Sequence, residues 1–174
     1  MIVDIQNDYF PGGAYPLEEP EEAARAARAV LDRFRETGEP VVHVQHVWDA
    51  EDAPFMRPGT TGIEIHDLVA PGPGEPVVRK VFPNAFRDSE LATLLAERDA
   101  TTVVLLGMMT SMCIDATARA AFDLGYEVTV VADACAAPDL EYAGRRVAAA
   151  DVQTSFLAAL ADGYASVVTS DALI

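Results

Sequence analysis

The chain has 174 residues, 51% of them hydrophobic, enough for one full core and short for two, so a single domain over 1–174 is expected. Its 28 acidic residues against 12 basic ones leave a net charge of -16, which opposes binding to nucleic acid or to anionic membrane surfaces. No stretch reaches the roughly 18 uninterrupted apolar residues of a membrane span, and the start of the chain lacks a signal-peptide pattern. The two cysteines, Cys113 and Cys135, do not suggest a disulfide framework, and a cytoplasmic protein is the expectation.

In chain order, β-branched runs predict strands at about 1–6 ("MIVDIQ"), 40–47 ("PVVHVQHV"), 76–81 ("PVVRKV"), 102–107 ("TVVLLG"), 126–131 ("YEVTVV") and 164–169 ("YASVVT"). Amphipathic stretches between them predict helices at about 20–37, stopped by Gly38, and at about 88–97, capped by Asp88 or Ser89. Two more are predicted at about 111–124, stopped by Gly125, and at about 139–162, capped by Asp139. Strands alternating with helices make a three-layer α/β/α sandwich on a six-stranded, mainly parallel sheet. The Pro-rich stretch 49–75 is the one long irregular region, and a loop of that length usually shapes a site.

In such sheets ligands bind beyond the carboxyl ends of the strands. Those ends carry Asp4, Gln6, Asp8, His46, Trp48, Lys80, Phe82, the Thr110 to Cys113 segment and Asp133. Cys113 falls in the first turn of a predicted helix, where free amides favour a thiolate, although a buried cysteine could sit there too. Lys80 shares a strand face with Val78 and Phe82, so its charge either leaves the interior or is paired inside it. Asp4 follows three apolar residues in a strand expected to be central, where an acid needs a cation or a proton-carrying task. Asp8 in "QNDYFPGG" reads as a turn former, and Asp133 and Cys135 read as structural. An acid, an amine and a thiol at one sheet edge can perform nucleophilic catalysis.

The segments "IVDIQNDYFPGGAYPL", "VVRKVFPNAFRDSELATLL" and "VVLLGMMTSMCIDATARAAFDLGYEVTVVADACAA" resemble the isochorismatase-like cysteine hydrolases, the nicotinamidase-related small-amide hydrolases. The resemblance covers nearly the whole chain. It implies a catalytic set of Asp4, Lys80 and Cys113, a cis peptide between Met108 and Met109, and an oxyanion hole from the Met109 and Cys113 amides. It also implies a homo-oligomer, dimer or tetramer. Nicotinamidases carry a metal-binding Asp-x-His at the end of the second strand; here His46 and Trp48 occupy those two positions, so no metal and no cofactor are expected. His43 and His46, three apart on a strand, face opposite sides and make a poor alternative metal pair with His66.

The expected activity is hydrolysis of a small amide or related C–N bond through a thioester, with Asp4 as base and acid, Lys80 as its electrostatic partner and Cys113 as nucleophile. Trp48, Phe82, Phe86 and Thr110 are expected to line the pocket for a small-molecule substrate, although phenylalanines also serve simple packing. Two alternatives stand beside this: vinyl ether hydrolysis of the isochorismatase type, which needs no thiol, and a non-catalytic binding protein on the same fold.

Overall fold

The computed structural model describes residues 1–174. Six strands form one sheet: β1 Ile2–Val3, β2 His43–His46, β3 Val77–Lys80, β4 Thr102–Met108, β5 Glu127–Ala136 and, last in the chain, β8 Ser166–Val168, in the order β3-β2-β1-β4-β5-β8. Every pairing in it is parallel, which is tighter than the mainly parallel expectation. The helices are α1 Pro20–Thr37, α2 Leu91–Ala96, α3 Asp115–Asp123 and α4 Ala149–Gly163.

Period-2 alternation divides the central strands between two cores. Ile2, Leu106 and Val131 face α1, where Ala23, Ala24, Ala27, Val30 and Leu31 are all buried. Val3, Leu105 and Val130 face the opposite layer with Leu91 of α2, Ala118 and Ala121 of α3, Leu160 of α4 and Ile114 just before α3. Only one long helix covers the first face, and Phe55, Met56, Ile65, Leu68 and Val69 of the long irregular segment complete it. The loop is therefore a wall of the core as well as a connection.

Three predicted helices differ from the structure. The helix expected from 139 begins ten residues later, because Leu140–Tyr142 (β6) and Arg145–Val147 (β7) form an antiparallel hairpin. Ala143 at φ +51° and Gly144 at φ +73° supply the two left-handed residues of a tight two-residue turn. Asp139 still caps the helix: its Oδ1 accepts the Ala149 N–H at 2.9 Å, across the hairpin. The helix expected from 111 opens instead with a π turn, Thr110–Ile114, and becomes α-helical only at Asp115. The second helix is shorter than expected, and Ser89 Oγ accepts the Leu91 N–H at 3.2 Å near its start.

Candidate active site

The site is built where the four adjacent strands β3, β2, β1 and β4 end. β1 stops early because Asp4 turns into a left-handed conformation, φ +53°, which takes the chain off the sheet. β3 pairs with β2 in a register that sets Lys80 beside His46. β4 runs past Gly107 into the Met108–Met109 peptide, which is cis, and then into the π turn that carries Cys113. Gly107 is required there: a Cβ on it would lie 1.9 Å from the Val3 carbonyl oxygen.

These ends bring Asp4, Lys80 and Cys113 together. Lys80 Nζ lies 2.6 Å from Asp4 Oδ2, 3.2 Å from Cys113 Sγ and 3.1 Å from His46 Nδ1. Asp4 and Lys80 side chains have no exposed surface, and Cys113 is 4% exposed. A lysine stretched to solvent from an edge strand is thus ruled out; the ammonium is buried and paired. Burial works against its charge, but Asp4 and Cys113 facing it raise its pKa.

The cysteine departs from expectation in its electrostatics. Burial pushes the thiol well above the ordinary thiol range, the Asp4 charge adds to this, and Lys80 only partly opposes them. The helix start that was to favour a thiolate is a π turn with Cys113 as its fourth residue, so it lacks the position of a helix N-terminus. Cys113 thus lies beside a carboxylate that Lys80 holds through Oδ2 and whose Oδ1 has no hydrogen-bond partner.

His46 and Gln6 are the site residues the sequence did not single out as a pair. Gln6, fully buried, accepts the His46 N–H at 2.8 Å and donates to the His46 carbonyl at 3.0 Å and to the Ile63 carbonyl at 2.7 Å. It clasps β2 and ties the long loop to the same point. Burial first, then the Lys80 charge, hold the His46 imidazole below its ordinary pKa. Asp4, His46 and Cys113 present ligand-type atoms within 4.8 Å of one another, the one such cluster in the chain. Lys80 Nζ already stands among all three, so the donor set does not fit a metal ion.

The expected pocket residues divide. Trp48, 38% exposed, meets His46 edge-on at 6.4 Å between ring centres and Phe55 at 5.3 Å. Phe55 continues through Tyr15 at 4.9 Å and Tyr9 at 5.9 Å into an aromatic wall, a feature hidden in sequence because its members lie 40 residues apart in the chain. Phe82 carries the Arg87 guanidinium 3.6 Å above its ring. Phe86 stacks on Tyr126, which precedes β5 at the opposite end of the sheet, so it is packing and not pocket. Thr110 gives its hydroxyl to Gln153 Oε1, and Gln153 in turn donates to the Ala132 and Cys135 carbonyls. Its side chain braces the π turn against α4.

Asp8 is buried and does more than form a turn. Its two oxygens accept the N–H groups of Ala14 at 3.0 Å and Met56 at 2.6 Å, pinning the long loop. Asp133 anchors the chain end, accepting from Ser170 N–H and Oγ–H at 2.7 and 2.6 Å. Cys135 donates to the Val131 carbonyl at 3.2 Å, and burial raises its pKa to about 12.

The isochorismatase domain family matches residues 1–150. The uncharacterized isochorismatase family protein YddQ of Bacillus subtilis (strain 168) is 45% identical over 100% of this chain and 97% of its own. The crystal structure of an isochorismatase hydrolase homologue from Oleispira antarctica superposes with a TM-score of 0.95 at 46% identity, covering 99% of this chain and 92% of that one. N-carbamoylsarcosine amidase from Thermoplasma acidophilum superposes with a TM-score of 0.84 at 27% identity, covering 98% and 94%. With the family model matching residues 1–150 and a relative 45% identical along the whole chain, the protein belongs to the isochorismatase family of hydrolases.

Proposed function

We propose that this hydrolase cleaves the C–N bond of a small amide through a thioester on Cys113. The observation that carries the reading is the placement of one buried ammonium, Lys80, against both Asp4 and Cys113 at 2.6 and 3.2 Å. A resemblance to an amidase across nearly the full chain supports the same bond type. Vinyl ether protonation gives the thiol nothing to do, and a binding protein would have no need of a buried carboxylate and thiol sharing one cation.

Asp4 takes the thiol proton as Cys113 Sγ attacks the amide carbon, and the carbonyl electron pair moves onto oxygen. The Met109 and Cys113 N–H groups receive that oxyanion. Collapse breaks the C–N bond, Asp4 returns the proton to the leaving nitrogen, and the amine departs. Water then gives a proton to Asp4 and attacks the thioester; Sγ leaves and recovers the proton, releasing a carboxylic acid. Lys80 balances whichever partner is negative, Asp4 before proton transfer and Cys113 after it. The reading takes residues 1–174 as one domain and a homo-oligomer acting on a cytoplasmic small molecule.

The test is turnover of a panel of small primary amides, followed by ammonia release, with acyl adducts on Cys113 sought by intact mass. Wild type should release ammonia and Cys113→Ser should not. Undiminished turnover in Cys113→Ser sinks the mechanism.

A further inference from the structure

Lys80 fixes the position of a proton on His46 as well as the nucleophile. An ammonium has N–H donors and no lone pair, so the His46 Nδ1 at 3.1 Å from it must be the bare, accepting nitrogen. The charged groups facing the ring are Lys80 from β3 and Asp4 from the end of β1, and the ring is neutral at neutral pH. Its single proton therefore sits on Nε2. Nε2 bonds to nothing in the chain, yet it is absent from the sealed atoms that lack a hydrogen bond, which are the Asp4 carboxylate oxygens, one of them ion-paired to Lys80, His43 Nδ1 and Ser111 Oγ. It is therefore not sealed from solvent, on a residue that is 9% exposed and meets the Trp48 ring.

A directed donor next to a nucleophile, with its backbone clasped on both sides by Gln6, is built to meet an acceptor. We propose that His46 Nε2–H is a specificity-determining donor, selecting amides that carry a second hydrogen-bond acceptor one or two atoms from the scissile carbonyl, such as an α-keto oxygen. The inference rests on the amide hydrolysis reading for its chemistry and adds the class of substrate. Substrates of this kind are held at two oxygens, one in the oxyanion hole and one on His46, so the amide plane is oriented before attack.

The test compares pyruvamide with propanamide, which differ by one acceptor oxygen, on wild type and two variants. His46→Asn keeps an oxygen that can accept from Lys80 and removes the donor. His46→Gln returns an amide N–H to the place of Nε2–H. The difference in intrinsic reactivity of the two amides cancels when the ratio of kcat/KM values is compared between proteins. The pyruvamide preference should fall roughly tenfold in His46→Asn, the size expected for one lost hydrogen bond, and recover in part in His46→Gln. A preference unchanged in His46→Asn, or lost equally in both variants, overturns the inference while leaving amide hydrolysis standing. If wild type turns over neither amide, the hydrolysis reading fails, and the same ratio is read from the concentrations that protect Cys113 from iodoacetamide; equal protection by both amides overturns the donor role as well.

Discussion

Replacing Asp4 by Asn separates two opposite effects of one carboxylate on Cys113. As a fixed negative charge, Asp4 opposes the thiolate; as a base, it removes the thiol proton during turnover. The carboxylate oxygen and Sγ lie within 4.8 Å of one another. Two unit charges at that distance repel by about 3.5 kcal/mol at an effective dielectric of about 20, a factor of roughly 300 in the ionisation equilibrium. Asp4→Asn leaves the Lys80 ammonium beside the sulfur and removes that repulsion, so the thiolate fraction at neutral pH should rise by roughly that factor. A less basic thiolate is a weaker nucleophile by about tenfold, so the net gain in alkylation rate is roughly 30-fold. Amide turnover should move the other way, down by roughly 10²–10⁴-fold for loss of the general base. The assay is the second-order rate of iodoacetamide alkylation at pH 7.5, read by intact mass, with Cys113→Ser supplying the Cys135 background. Alkylation that slows or stays level in Asp4→Asn would refute the electrostatic argument, and retained turnover would refute the assignment of Asp4 as base.

Three further outcomes follow from particular contacts. Lys80→Met strands the Asp4 charge in the interior and should cost about 3–5 kcal/mol in urea unfolding; Asp4→Asn with Lys80→Met should recover part of it, and a double variant no more stable than Lys80→Met contradicts the pairing. Glu75 is held at about 2, from an ordinary 4.5, foremost by its hydrogen bonds from Arg35, with Gly72 and His43 adding to them. A folded-state value below the unfolded one gives stability that is complete above 4.5 and lost as pH falls toward 2, so Glu75→Gln should melt below wild type at pH 7 and the gap should close on acidification. A gap that does not change with pH speaks against it. Gly107→Ala sets a methyl 1.9 Å from the Val3 carbonyl oxygen at a φ of +136°, and should lower stability by about 3 kcal/mol or more; a melting curve matching wild type would show that the strands can part there.

The fold was readable because alternation is a strong signal on short strands. "VVRK" puts Val78 and Lys80 on one face, and the structure buries both while Val77 and Arg79 are exposed. Helix α1 was readable from its amphipathic stretch and from Gly38, which stops it at φ +73°. The hairpin was hidden because its turn is Ala143-Gly144, without the asparagine or aspartate that marks such turns, and the alanines after it extend the helical pattern backward. The partnership of His46 with Lys80 was hidden for a different reason. It depends on strand register, which sets His46 opposite Lys80, and register between distant parallel strands leaves no local trace. Phe86 failed as a pocket residue because nearness in sequence to Lys80 says nothing of direction once the chain has left the strand.

The bond from Ala149 N–H to Asp139 Oδ1 closes the segment from Asp139 to Ala149 into a ring around the hairpin, and Arg146 folds back onto the same Asp139 carboxylate. Leu140 to Val147 are all exposed, with Tyr142 at 85%, so nothing in either core depends on them. The two ends of this excursion are fastened to each other before it begins. It is a detachable handle: a place where a shorter turn, a longer arm or an inserted peptide can be spliced between Asp139 and Ala149 while α4, Gln153 and the braced nucleophile turn keep their positions.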